Sequence, residues 1–178
     1  MNNCMKLLAI AVLSAAGMSA ASAATTGTLT ITGNVTDQTC EVDAAQMSRT
    51  VDLGEITQGA IKAAAQNASV VSKSLVFNVT ACPASTKSVG IEFGYTADPI
   101  NTQYLANTGT GAGVLLGITD NTDALVPNDG TVNATDLDTT AGTATVNAKV
   151  QAYRTAPTDA DIVAGDVSSS ATVTISQN

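Results

Sequence analysis

Apolar side chains in this chain recur at every second residue, in one short stretch after another, and that period demands extended strands with one buried face. Leu75, Phe77 and Val79 alternate with polar or smaller neighbours, and Val89, Ile91, Phe93 and Tyr95 alternate with Ser88, Gly90, Glu92 and Gly94. The same rhythm runs from Ala144 through Val146, Ala148 and Val150 to Ala152, and returns near the end of the chain in Ala171, Val173 and Ile175. Further strands are expected over 35–42, 51–56 and 114–119, with Gly, Asp, Asn and Thr gathered between them. Short strands separated by turn residues predict an all-β sandwich. Residues 58–68 are alanine-rich without a sustained apolar stripe and read as a connection. Residues 120–140 read as a solvated loop with a turn at Asn128-Asp129-Gly130.

The first residues set the compartment. A short polar start with Lys6 leads into an apolar run over 7–16 and then to Ala21-Ser22-Ala23, after which threonine takes over. This is the pattern of a signal peptide over residues 1–23, cleaved after Ala23. The apolar run is too short for a membrane span, which needs about 20 residues. An exported chain is therefore expected, and residues 24–178 suit one domain with one core. Acidic residues number 15 against 7 basic ones. That balance speaks against nucleic acid or an anionic membrane as a partner, since both select clustered Lys and Arg. Cys4 leaves with the leader, so the mature chain keeps Cys40 and Cys82, a disulfide candidate in an exported protein. Closing a loop of that size contributes on the order of 4 kcal/mol on the chain-entropy view.

Leu29, Ile31, Gly33 and Val35 share one side of a further alternating stretch, with threonine filling the other side over residues 28–35. On pattern alone this is an ordinary first strand of a self-contained exported sandwich, an adhesin or binding module. Its surroundings say more. Gly33-Asn34-Val35 precedes Cys40-Glu41-Val42, Val51-Asp52-Leu53-Gly54 follows, and Phe77-Asn78-Val79-Thr80-Ala81-Cys82 brings the second cysteine after an apolar strand. Ile91-Glu92-Phe93-Gly94, Leu116-Gly117-Ile118-Thr119-Asp120, Ala152-Tyr153 and Val163-Ala164-Gly165 come in the same order as in one known family. Over nearly the whole mature chain the sequence resembles the pilins of chaperone–usher fimbriae, the type 1-like pilins among them.

That resemblance implies an incomplete immunoglobulin-like sandwich lacking its last strand, completed by a strand donated by a neighbouring subunit, a recognised mode of strand addition. It divides the chain into a leader (1–23), a donor extension (24–36) and a pilin domain (37–178). Leu29, Ile31 and Val35 would enter pockets of the neighbour, with Gly33 where no side chain fits. Ala171, Val173 and Ile175 would belong to the terminal strand that borders the acceptor groove. The implied partners are identical or related pilin subunits, with a periplasmic chaperone and an outer-membrane usher during assembly. The implied role is structural, in a cell-surface fimbria that supports adhesion.

Nothing in the residue inventory suggests catalysis. The chain contains no histidine, which removes His-based triads and His-ligated metals. Gly109-Thr110-Gly111-Ala112-Gly113 has Val114 where a dinucleotide-binding loop needs its third glycine, so a flexible turn is expected there. Asp136/Asp138 and Asp159/Asp161 are paired carboxylates in polar stretches, read as solvated loop acids. No catalytic residue, cofactor or metal is expected.

Overall fold

The computed structural model describes residues 38–178. Leu29, Ile31, Gly33 and Val35, together with the leader, lie outside the described residues. Among those described, β1 (Glu41–Val42), β2 (Ser69–Thr80), β6 (Ala144–Arg154) and β4 (Val114–Asp120) form one antiparallel sheet in the order β1-β2-β6-β4. A second sheet has the order β5-β3-β7, from β5 (Gly130–Asn133), β3 (Val89–Tyr95) and β7 (Ala171–Gln177). Two short helices, α1 (Ala44–Met47) and α2 (Gln58–Ala63), and a 3-10 turn at Asp159–Asp161 complete the body.

The two sheets pack face to face through the alternating residues. Leu75, Phe77 and Val79 of β2 and Val146 and Ala148 of β6 are buried against Val89, Ile91 and Phe93 of β3. The Phe77 and Phe93 rings meet edge to face, 6.0 Å between centroids, so each sheet supplies one half of the central aromatic pair. Cys40 and Cys82 are joined by a disulfide across 42 positions of sequence, both half-cystines buried in this core. The alternation stops mattering towards the end of β6, where Gln151, Ala152, Tyr153 and Arg154 are all buried. There the outer face of the sheet is covered as well, by a second small cluster of Tyr104, Leu115 and Tyr153 with Leu125 against it. Tyr104 and Tyr153 lie 5.1 Å apart.

Several expectations change. Residues 120–140 are not simply a solvated loop. Val126 and Val132 are buried, and Gly130–Asn133 pairs with β3 from Gly90↔Asn133 to Phe93↔Gly130. A single buried valine in a four-residue strand is too short to show a period. Over 35–42 the described part holds a ladder only at Glu41–Val42. Residues 51–56 form no strand. Asp52 Oδ1 accepts from the Gly54 amide at 2.8 Å, and Gly54 takes φ +73°. This local turn competes with an extended ladder. The connection over 58–68 contains α2, started by the Thr57 side chain, which accepts from the Ala60 amide. Helix α1 was not anticipated; Asp43 caps it by accepting from the Ala45 amide at 2.7 Å.

Candidate strand-acceptor groove

Among the described residues the core is not closed all round. A groove of ≈ 960 Å³ runs along one side of the sandwich, walled by residues 46–58 on one flank and by residues 163–171 and Val173 on the other. Its floor is core, including Leu75, Phe77, Phe93, Leu116 and Ile118. Both flanks carry unused ladder capacity. Residues 51–57 lie in no strand, and β7 pairs with β3 on one edge, standing last in its sheet among the described strands.

Burial along β7 tells the same story. Thr172 and Thr174 are exposed, as outward positions should be, yet Val173 and Ile175 on the opposite face, which packs on the core, are only half-buried. Valine and isoleucine at inward positions of a sandwich are normally covered. Among the described residues no layer covers them fully. Of the three predicted groove residues, Ala171 and Val173 line it, whereas Ile175 packs on the core and is not among the lining residues.

Each flank is held in its own way. On the first, Val51, Leu53 and Ile56 pack on the core, and Arg49 lies over Phe77 with its guanidinium carbon 4.7 Å from the ring centroid while donating to the Val76 carbonyl at 3.1 Å. On the second, residues 163–168 are strapped to 107–112. The Thr108 and Gly111 amides donate to the Ser168 and Asp166 carbonyls at 2.8 and 2.9 Å, and Ala112 and Val163 exchange both backbone bonds at 3.1 Å. Asn107 adds its side-chain oxygen as acceptor for the Ser168 amide at 3.0 Å. The approach is so close that a Cβ on Gly109 would collide with the Asp166 carbonyl, and one on Gly111 would stand 2.8 Å from the Gly165 carbonyl. The glycine run read as a flexible turn is therefore a fixed strap. Its alternating glycines were the signal, and only the facing Gly165 supplies the reason.

The lining charges are Arg49 against Asp52, Glu55 and Asp166, with no histidine or cysteine. No group of three or more metal-ligating side chains occurs among the described residues. The carboxylates whose pKa moves lie elsewhere, in turns. Hydrogen bonds from Thr122 hold Asp120 below the ordinary carboxylate range, Lys149 does the same for Asp123, and the Ala141 and Thr140 amides for Asp138. What the groove offers chemically is an apolar trough between two strand-like edges, a receptor for an extended segment with alternating apolar residues.

Residues 29–177 match the family described as Fimbrial protein. The chain belongs to the fimbrial protein family. The fimbrial subunit type 1 of Klebsiella pneumoniae is 32% identical over 161 residues, covering 85% of this chain and 88% of that one. The type-1 fimbrial protein A chain of Escherichia coli strain K12 is 30% identical over the same coverage. In fold, the fimbrial subunit resembles the P pilus rod subunit PapA, with TM-score 0.62 at 15% identity over 78% of this chain and 99% of that one. A subunit from a chaperone–usher pilus gives TM-score 0.63 at 15% identity over 86% and 96%. The incomplete immunoglobulin-like sandwich is thus the fold of pilus subunits. The fimbrial subunit is a structural component of a pilus, exported to the cell surface.

Proposed function

We propose that this fimbrial subunit polymerises by donating residues 28–35 to the groove of the next copy and accepting the same segment in its own. The carrying observation is the half-buried Val173 on the core side of an edge strand, across the groove from a wall that forms no ladder among the described residues. The donor has the matching chemistry. Leu29, Ile31 and Val35 supply apolar knobs at period two, Gly33 leaves a gap, and the segment carries no charge to desolvate. Burying the three side chains contributes roughly 1.5–3 kcal/mol each, with backbone pairing on a bare edge added to it. A head-to-tail contact of this kind need not close into a ring and so builds an open filament.

On this reading residues 1–23 are the leader, 24–36 the donor extension and 37–178 the body. The groove of a newly exported subunit needs cover until a donor arrives, which is the part assigned to a periplasmic chaperone, with an outer-membrane usher directing the exchange. The subunit works by strand addition and not by catalysis. Gel migration of native surface material with and without boiling tests the proposal. A ladder that collapses to one band only on heating is expected. Monomer in both lanes would show a self-contained module instead.

A further inference from the structure

Arg154 is the one strongly buried cation of the body among the described residues, and assembly as set out above leaves it without a role. It ends β6, its side chain 10% exposed, and every guanidinium nitrogen is engaged. Nη1 donates to the carbonyls of Lys62 at 2.9 Å and Ala64 at 3.0 Å, with Ile61 at 3.5 Å. The Lys62 and Ala64 carbonyls stand at the end of α2, where helical donors run out, while that of Ile61 also accepts from the Ala64 amide at 3.2 Å. Nε donates to the Ala156 carbonyl at 3.2 Å, and Nη2 pairs with Asp159 Oδ1 at 2.9 Å. One planar fork therefore ties α2, which follows the first groove wall, to the 156–161 segment, which leads into the second. Both ties reach the groove. Gln58 and Ile61 of α2 line it, and so does Val163 just after the 3-10 turn. The walls touch there, with Gln58 Nε2 donating to the Ile162 carbonyl at 3.5 Å.

We infer that Arg154 closes one end of the groove and thereby sets the register of the strand that enters it. This rests on the donor-strand reading above. An inserted strand repeats every two residues, so a two-residue slip returns the same face to the core. The edges alone do not forbid that slip; a fixed end does. Arg154 does not itself line the groove. It is a positioning residue, acting through α2 and the Asp159–Asp161 turn.

The test uses the mature chain, released from fibres by heat and refolded with an excess of labelled peptide. Three peptides are compared: residues 24–36 as they stand, the same with Ile31→Gly and Gly33→Ile, and the same with Gly33→Val and Val35→Gly. The second and third move the glycine two positions one way or the other. The wild-type subunit is expected to retain the natural peptide at least roughly tenfold longer than either shifted one, as misplacing one apolar side chain in a fitted pocket requires. In Arg154→Lys, which keeps the charge and loses the fork, the shifted peptide whose register runs past the closed end recovers to within a few-fold of the natural one. Asp159→Asn changes an exposed carboxylate, keeps the α2 cap and moves the ratio the same way by less. It decides the case if Arg154→Lys does not accumulate. Retention ratios unchanged, or all three peptides weakened in proportion, would overturn the inference and leave Arg154 a stabilising residue only. Failure of the wild-type chain to retain any peptide would instead contradict the donor-strand reading.

Discussion

Tyr95 ends β3 with its ring in the core and its hydroxyl donating to the Val126 carbonyl at 2.9 Å. Burial, with the charge of Asp129 adding to it, pushes its phenol pKa up. The hydroxyl thus stays a donor, pinning the 126–130 turn from which β5 starts. Tyr95→Phe leaves that buried carbonyl short of a partner and is expected to lose about 1 kcal/mol in urea unfolding with the fold retained. Acid acts through other side chains. Asp120, Asp123 and Asp138 have folded pKa values below their unfolded ones because folding supplies hydrogen bonds to the charged forms, from Thr122 to Asp120, from Lys149 of β6 to Asp123 and from the Ala141 and Thr140 amides to Asp138. Their contribution is complete above the ordinary aspartate pKa, about 3.9, and is lost as pH falls below it through the folded values. Melting temperature should therefore decline on that acid limb, and Asp120→Asn should flatten the decline; an identical acid limb in the variant would contradict the assignment. At this scale the sequence was legible where hydrophobicity decides. The alternation announced Phe77 and Phe93 as core and export paired Cys40 with Cys82. It was silent on Arg154, whose partners on α2 are backbone carbonyls some ninety positions away.

Elements were readable in proportion to how many periods they contain. β2, β3, β6 and β7 each show three or more alternations and appear where the pattern places them. β5 shows one buried valine and gave no period to read. Residues 51–56, expected as a strand, are not one: Val51, Leu53 and Ile56 pack on the core, but the alternation breaks at Glu55, and the Asp52–Gly54 turn leaves the backbone outside any ladder. That mismatch is itself informative, because an apolar segment with no ladder partner among the described residues is a place for another strand. The strap between 107–112 and 163–168 depends on contacts between distant backbones, which no single-segment pattern encodes. Gly109→Ala forces a methyl into the Asp166 carbonyl. The expected cost is about 1–3 kcal/mol, as for other overpacked sites. Limited proteolysis should show new cleavage within 163–170, and unaltered resistance there would mean that the strap does not hold the wall.

For the molecule as a whole, one strip of missing cover organises the rest. Two sheets share a core centred on Phe77 and Phe93, the disulfide joins Cys40 to Cys82 just past the end of β2, and the groove is what remains when no further strand among the described residues lies along β7. An uncovered edge beside an apolar floor is a hazard for a free subunit and a receptor for the right segment. The fold class followed from periodicity, and the incompleteness of the fold from family resemblance. Composition alone offered no sign of the groove, since its floor is made of ordinary core residues. The central claim is that residues 28–35 of one copy fill this groove in the next, and the most direct measurement removes the donor while keeping the acceptor. With residues 24–32 deleted, the subunit is expected to be exported and folded and to bind a synthetic peptide of residues 24–36, yet to form no fibre by electron microscopy of the cell surface. Normal fibres from that deletion would contradict the account.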